Sequence, residues 1–155
     1  MPVIPTIRPV MSPTKEMPAP QETNLKHLSV LVVDDVESIL DLVVHWLEEA
    51  GHSVACATTG QAALRLIKQQ PFDLVITDII MPDGDGLEVI LELKQAQPAI
   101  RVLAISGGGR HMQAVDCLKM AKNLGAHGLL LKPFNREQLL AEIGLALPSA
   151  GPPAS

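Results

Sequence analysis

The sequence predicts an α/β fold in which a parallel, doubly wound sheet of five strands lies between two layers of helices. Three observations support this prediction. Short runs of β-branched and aliphatic residues alternate five times with stretches of helical periodicity. The runs are apolar on both faces, which is typical of strands that helices cover on both sides. The chain of 155 residues is 47% hydrophobic, which is enough to fill one core.

The hydrophobic pattern and its punctuation define each element. The five predicted strands are Val30–Val33, Ser53–Ala57, Asp73–Thr77, Ile100–Ile105 and Gly128–Leu131. The five predicted helices are Ser38–Ala50, Gln61–Gln69, Gly86–Gln95, His111–Leu124 and Asn135–Leu147. Gly51 and Gly125 stand where two helices should stop, and Asn135 is a suitable N-cap for the last helix.

Proline-rich segments flank this predicted domain. Residues 1–26 hold six of the 13 prolines and show neither helical nor strand periodicity, so we expect a disordered N-terminal extension. Residues 148–155 have a similar composition and should form a disordered tail. The folded domain should therefore span residues 27–147.

Composition argues against several classes of partner. The formal net charge is −5 and no cluster of Lys or Arg occurs, so a nucleic-acid partner is not expected. Cys56 and Cys117 match no metal or redox spacing, and we expect both to be buried small side chains in a reducing compartment. No apolar stretch is long enough to cross a membrane, and prolines interrupt any signal-peptide core. We therefore expect a cytoplasmic protein without a membrane partner.

Polar residues follow four of the predicted strands. Asp34 and Asp35 follow the first strand, Asp78 the third, Ser106 the fourth and Lys132 the fifth. In open α/β sheets the functional site lies beyond the carboxyl ends of the strands. Three carboxylates, one hydroxyl and one ammonium should therefore meet at one patch.

Such a patch requires a positive charge. Two carboxylates about 4 Å apart repel each other by roughly 4 kcal/mol at an effective dielectric constant of about 20. Three carboxylates near neutral pH need protons or a cation, and an all-oxygen ligand set with room for water suits Mg²⁺. Lys132 would offset only part of the charge. With Mg²⁺ bound, Asp78 could attack a phosphoryl group and become an aspartyl phosphate, which Lys132 and Ser106 would stabilise.

These residues resemble the receiver domain of two-component response regulators. The resemblance rests on LVVDD at 31–35, D-x-x-MP-x-x-DG from Asp78, the Ser106-Gly107 strand exit and GA-x-x-x-x-x-KPF from Gly125. It covers nearly all of residues 28–147 and implies the flavodoxin-like (βα)5 arrangement. It also implies that Asp78 accepts phosphate from a phosphohistidine on a histidine kinase or phosphotransfer protein.

The resemblance assigns roles to the other residues. It implies that Asp35, Asp78 and the main-chain carbonyl of Ile80 bind Mg²⁺, with Asp34 acting largely through metal-bound water. Ser106 would be the switch hydroxyl, and Lys132 would pair with the phosphate. The resemblance also implies that the Lys132–Pro133 peptide bond is cis. The chain would catalyse only its own phosphorylation and dephosphorylation. We expect a regulator without an output domain that acts on a protein target, either as a monomer or as a homodimer.

Two features depart from the usual pattern. Leu129 occupies the fifth-strand position where such domains often carry a switching aromatic residue, so signalling should use backbone and helix shifts instead. The stretch from Ser106 to Gly125 is about one helical turn longer than in simple receivers and begins with three glycines, so we expect a mobile, adjustable interface there.

Two other functions compete with phosphate acceptance. A haloacid-dehalogenase-type hydrolase needs a second carboxylate two residues after the nucleophile, but Val36 and Ile80 hold those positions. A binding-only domain that never carries phosphate stays open, although the acidic pair, the acceptor and the lysine disfavour it.

Overall fold

The computed structural model describes residues 27–81, 84–107 and 114–147. Its five main strands are β1 (Ser29–Val33), β2 (Ser53–Ala57), β3 (Leu74–Asp78), β4 (Arg101–Ser106) and β5 (Gly128–Leu131). Its five helices are α1 (Glu37–Glu49), α2 (Gly60–Gln69), α3 (Gly86–Ala96), α4 (Ala114–Asn123) and α5 (Arg136–Ala146). The predicted order of elements is confirmed. The predicted extension and tail, and residues 111–113 of the fourth predicted helix, lie outside the described residues.

The strands form one parallel sheet in the order β2-β1-β3-β4-β5. The central strand β3 is buried throughout, because it has a neighbour on each side and helices on both faces. The chain reverses its winding next to β1 and β3, so the carboxyl ends of these two strands flank a crevice. The predicted doubly wound, three-layer α/β/α fold is confirmed.

Two apolar clusters, one on each face of the sheet, make up the core. On one face α1 and α5 bury side chains that include Leu40, Leu47, Leu139 and Ile143. On the other face α2, α3 and α4 do the same, with side chains that include Ile67, Val89, Ile90, Leu93 and Ala121. Because each face of the sheet is covered, its aliphatic side chains are removed from water on both sides.

The residues expected to begin and end helices do so. Gly51 and Gly125 have φ angles of 96° and 111°, in the left-handed region that glycine favours at helix ends. Asn135 and Gln138 form a capping box: Asn135 Oδ1 accepts the Gln138 N–H at 2.8 Å, and Gln138 Oε1 accepts the Asn135 N–H at 2.9 Å. Thr59 caps α2 by accepting the Ala62 N–H at 3.0 Å, a contact the sequence analysis had missed.

Two further findings differ from expectation. Ile80–Met81 and Gly84–Asp85 pair as two short antiparallel strands, which are absent from the five predicted strands. The prediction that Cys56 is buried was wrong: its side chain is exposed, because β2 is an edge strand that is only partly covered. The side chain of Cys117 lies outside the described part of the structure.

Within the described ranges, none of the helices combines the length and apolar character needed to cross a bilayer.

We predict opposite effects of the same substitution at two helical glycines. A Cβ atom on Gly60 would lie 2.5 Å from Cγ2 of the buried Val89, whereas a Cβ atom on Gly144 meets nothing within 4 Å. Gly60→Ala should lower the free energy of unfolding by about 1–3 kcal/mol through overpacking. Gly144→Ala should raise it by about 0.5–1 kcal/mol through helix propensity. Urea denaturation of both variants measures the difference, and Val89→Ala should recover part of the loss in the Gly60→Ala background. Equal shifts in one direction would contradict the close approach of α2 and α3.

Candidate functional site

The register of the sheet brings the predicted polar residues to one edge. Val33, the last residue of β1, pairs with Thr77, so Asp34 follows beside Asp78. On the other side of β3, Asp78 pairs with Ile105, which precedes Ser106. Ser106 pairs with Leu131 of β5, and its carbonyl accepts the Lys132 N–H at 2.9 Å. Four strand ends therefore deliver their polar residues to one patch, as expected.

The Lys132 ammonium joins two of the carboxylates. Its Nζ lies 2.9 Å from Asp78 Oδ2 and 3.0 Å from Asp34 Oδ2. The contact with Asp78 is an aligned hydrogen bond. Asp78 is only 5% exposed and Asp34 only 2%, so water screens these charges poorly. One cation thus bridges two buried anions that belong to different strands.

The pKa of Lys132 reflects this position. Burial alone lowers the pKa, but hydrogen bonds to Asp78 and Asp34 and the negative charges of both residues outweigh it and raise the pKa above its ordinary value. The ammonium therefore remains charged across the neutral range. Its contribution to stability is fully present below the ordinary lysine pKa and is lost only at strongly alkaline pH.

Asp34 has a second role in the fold. Its Oδ1 accepts the Val36 N–H at 2.9 Å, so the same carboxylate supports the start of α1. Asp34 therefore both contacts the Lys132 ammonium and supports the start of α1. Asp34 Oδ2 is buried, and the Lys132 ammonium lies 3.0 Å from it.

The three carboxylates together fit a divalent cation. Asp34, Asp35 and Asp78 each present one oxygen, and these oxygens lie within 4.8 Å of one another. Asp35 is half-buried, so the group opens toward solvent on its side. An all-oxygen group with net negative charge and access to water matches what Mg²⁺ requires. Ile80 lies two residues beyond Asp78 in the first of the two short antiparallel strands, and its role as a carbonyl ligand stays a prediction.

The remaining predicted residues surround this group. Ser106 is fully buried at the end of β4. Gly107 lies against the Lys132 side chain, and a Cβ atom there would reach it at 3.4 Å, an ordinary contact. The Lys132–Pro133 bond is cis, as the resemblance implied. Gly108 and Gly109, where a mobile segment was expected, lie outside the described residues.

Thr77 is a neighbour of the site that the sequence analysis had missed. It is fully buried, and its hydroxyl donates to the main-chain carbonyl of Asp78 at 3.0 Å. This bond helps to fix the backbone of the residue that carries the central carboxylate. A hydroxyl in an otherwise aliphatic central strand was the available signal, because a buried hydroxyl requires a partner.

Comparison with known proteins agrees with this geometry. The profile of the response regulator receiver domain matches residues 30–144. A putative NtrX-like response regulator of Rickettsia typhi is 36% identical over 118 residues, which are 75% of this chain and 24% of that protein. The chain thus spans about a quarter of the length of this curated relative.

Solved structures show the same likeness. The chemotaxis response regulator CheY4 of Vibrio cholerae superimposes with a TM-score of 0.70 at 33% identity, over 79% of this chain and all (100%) of that one. The beryllofluoride-activated NtrC4 receiver domain dimer gives 0.69 at 39% identity, over 77% of this chain and 95% of that one. The profile covers most of the described domain, and the polar residues at the strand ends lie together at one edge of the sheet. The chain therefore belongs to the response regulator receiver domain family.

Proposed function

We propose that the chain is a phosphoacceptor in a two-component or phosphorelay system and that Asp78 is the residue that carries the phosphate. One observation supports this most strongly: Lys132 bridges Asp34 and Asp78 at 3.0 and 2.9 Å, with Asp35 in the same cluster. In this arrangement the carboxylate proposed as the nucleophile lies beside the Lys132 ammonium and within an acidic group suited to a divalent ion.

The proposed reaction is a phosphoryl transfer to a carboxylate. An oxygen of Asp78 attacks the phosphorus of a phosphohistidine on a partner kinase or phosphotransfer protein. The P–O bond forms as the P–N bond breaks, and the leaving imidazole takes up a proton. Lys132 already lies beside the attacking carboxylate, so its ammonium can form an ion pair with the oxygens of the new phosphoryl group. The buried Ser106 hydroxyl is the proposed further donor.

Asp34, Asp35, Asp78 and the Ile80 carbonyl are the proposed Mg²⁺ ligands. When bound, the ion would neutralise charge on the phosphoryl oxygens and orient the donor. The protein's own contribution is to hold three carboxylates together and to keep two of them out of water. That arrangement is costly without a cation, which is why the ion and the reaction belong to the same proposal.

Signalling would follow from the added charge. A phosphoryl group brings about two negative charges to a point that now holds one carboxylate. The phosphate would compete with Asp34 for the Lys132 ammonium. The other oxygen of Asp34 supports the start of α1, so a weakened contact between Lys132 and Asp34 could affect that helix. Leu129 is half-buried at the position where an aromatic switch was considered, so backbone and helix shifts are the proposed route.

Several expectations about context remain proposals. We propose a cytoplasmic protein that acts on a protein target and catalyses no reaction other than its own phosphorylation and dephosphorylation. The solved NtrC4 receiver is a dimer, which supports a homodimer here. Action without an output domain and without nucleic acid stays a prediction, since the curated relative is about four times longer than the matched region.

Incubation with acetyl phosphate and Mg²⁺ should raise the intact mass by one phosphoryl group. Asp78→Asn should show no increase, because the nucleophilic carboxylate is gone, whereas Asp41→Asn, at an exposed position on α1, should behave as the wild type. Mass spectrometry of intact protein measures all three. An unchanged wild-type mass would favour the binding-only alternative, and an increase in Asp78→Asn would place the phosphate elsewhere.

Loss of the bridging cation should increase the response to Mg²⁺. Lys132→Met leaves two buried carboxylates without their ammonium, so in EDTA the free energy of unfolding should fall by about 3 kcal/mol. Added Mg²⁺ should stabilise this variant more than the wild type, because the ion then takes over the positive charge that the ammonium supplied. Denaturation with and without Mg²⁺ tests this, with Lys119→Met, an exposed lysine, as the control. A variant that gains less from Mg²⁺ than the wild type would contradict the charge argument.

A further inference from the structure

A histidine precedes each edge strand of the sheet. His52 stands directly before β2, and His127 stands directly before β5. These two strands are the outer ones in the order β2-β1-β3-β4-β5. Both histidines lie at the amino ends of the strands, whereas Asp78 lies at the carboxyl end of β3. They therefore belong to a part of the molecule that the proposed phosphoryl transfer does not use.

Both rings make the same contact. His52 Nδ1 accepts the N–H of Leu28, the residue before β1, at 3.1 Å. His127 Nδ1 accepts the N–H of Val102 in β4, also at 3.1 Å. A ring nitrogen that accepts a hydrogen bond must be unprotonated, so both rings are neutral with the proton on Nε2.

A backbone hydrogen bond accompanies each ring contact. The Ser53 N–H donates to the Leu28 carbonyl at 2.9 Å beside His52. The His127 N–H donates to the Val102 carbonyl at 2.7 Å. At each edge, the first contact between the outer strand and its inner neighbour is thus one main-chain bond reinforced by one imidazole.

The surroundings of both rings disfavour a positive charge. His52 is 5% exposed, its buried Nε2 has no hydrogen-bond partner among the described residues, and the imidazole of His27 lies nearby. Burial first, and then His27, lower the pKa of His52. Burial first, and then Arg101 on β4 and Lys94 on α3, lower the pKa of His127. The charged groups that act on the two rings are all basic.

A second imidazole lies beside His52 at the same edge of the sheet. The His27 ring contacts the Gly51 carbonyl and, at 2.9 Å, the Ser53 hydroxyl. The residues on either side of His52 in sequence are therefore both in contact with His27.

We propose that His52 and His127 are acid-sensitive pins that fasten the two edge strands, β2 and β5, to the inner sheet. A proton on Nδ1 of either ring would face the N–H of Leu28 or Val102, so two donors would meet where one donor and one acceptor now pair. The ring must then leave its position, and the edge strand separates more readily from its inner neighbour. Acidification thus opens both edges of the sheet while β3 and its central neighbours stay closed.

The sign of the pH dependence follows from the lowered pKa values. Between the lowered value in the closed state and the ordinary value of about 6.5, the open state binds more protons. The stability that each pin contributes is therefore present above about pH 6.5 and is lost as the pH falls below it. Each protonating histidine changes the opening equilibrium by up to about tenfold per pH unit within this window.

Hydrogen exchange of individual amides on the full chain tests the proposal. Protection factors from NMR, corrected for intrinsic exchange, would be measured between about pH 7.5 and about pH 5, a range that brackets the ordinary histidine pKa. Protection of the Leu28 and Val102 amides should fall by up to about tenfold per pH unit. Protection of the Val75 and Ile76 amides in β3 should stay constant. Constant protection at Leu28 and Val102, or a parallel fall at all four amides, would overturn the proposal.

Single substitutions separate the two pins. Asparagine in His52→Asn supplies an acceptor oxygen near the place of Nδ1 but does not titrate, so the Leu28 amide should lose its pH dependence while Val102 retains it. His127→Asn should have the reverse effect, and His45→Asn, at an exposed site on α1, should change neither. If either pin variant does not fold, the ¹⁵N shifts of the wild-type imidazoles decide. A proton on Nδ1 at neutral pH, or titration above about pH 6.5, would overturn the proposal.

Discussion

The ammonium of Lys132 between Asp34 and Asp78 is the interaction on which the account of this domain depends. Parallel strands end at a common edge, so residues distant in sequence place like charges side by side. Two such charges about 4 Å apart cost roughly 4 kcal/mol at an effective dielectric constant of about 20. A single cation at 2.9 Å from Asp78 and 3.0 Å from Asp34 offsets this repulsion, and the cluster of three carboxylates keeps a net negative charge.

The charged group is tied to the backbone at several points. Asp34 supports the first turn of α1 through the Val36 N–H, and Lys132 donates its own N–H to Ser106. Thr77 holds the carbonyl of Asp78 from within the central strand. A change of charge at Asp78 therefore acts on a helix start and on two strand ends at once. A ligand or modification shifts a conformational equilibrium only through such differences in interaction.

Much of the fold and of the site could be predicted because strong local signals agreed with each other. The aliphatic runs predict strands, and β3 is buried on both faces as its composition suggests. Helix ends are indicated by Gly51 and Gly125, and the start of the last helix is indicated by Asn135. The site residues could be predicted because each follows a strand, and parallel strands end together. Cys56 was assigned wrongly because its residue type favours burial, whereas the order of strands, which composition does not reveal, makes β2 an edge. The pairing of Leu28 with His52 and of Val102 with His127 depends on which strands are neighbours, so the histidines carried no local signal.

The two ends of the sheet thus manage charge in opposite ways. At the carboxyl end, two buried carboxylates lie beside a lysine whose pKa they raise. At the amino end, histidines with lowered pKa values are kept neutral so that they can accept backbone N–H groups. Both arrangements follow from placing titratable groups where water screens them poorly.

Calorimetric titration of Mg²⁺ into the wild-type protein and into Asp35→Asn, at equal ionic strength, tests the central claim most directly. Asp35 is the half-buried member of the acidic cluster, so its replacement removes a ligand charge while Lys132 keeps both of its partners. The account predicts one ion per wild-type chain and an affinity roughly tenfold or more weaker in the variant, since affinity follows ligand charge. Equal affinity in the two proteins, or no binding by the wild type, would contradict it.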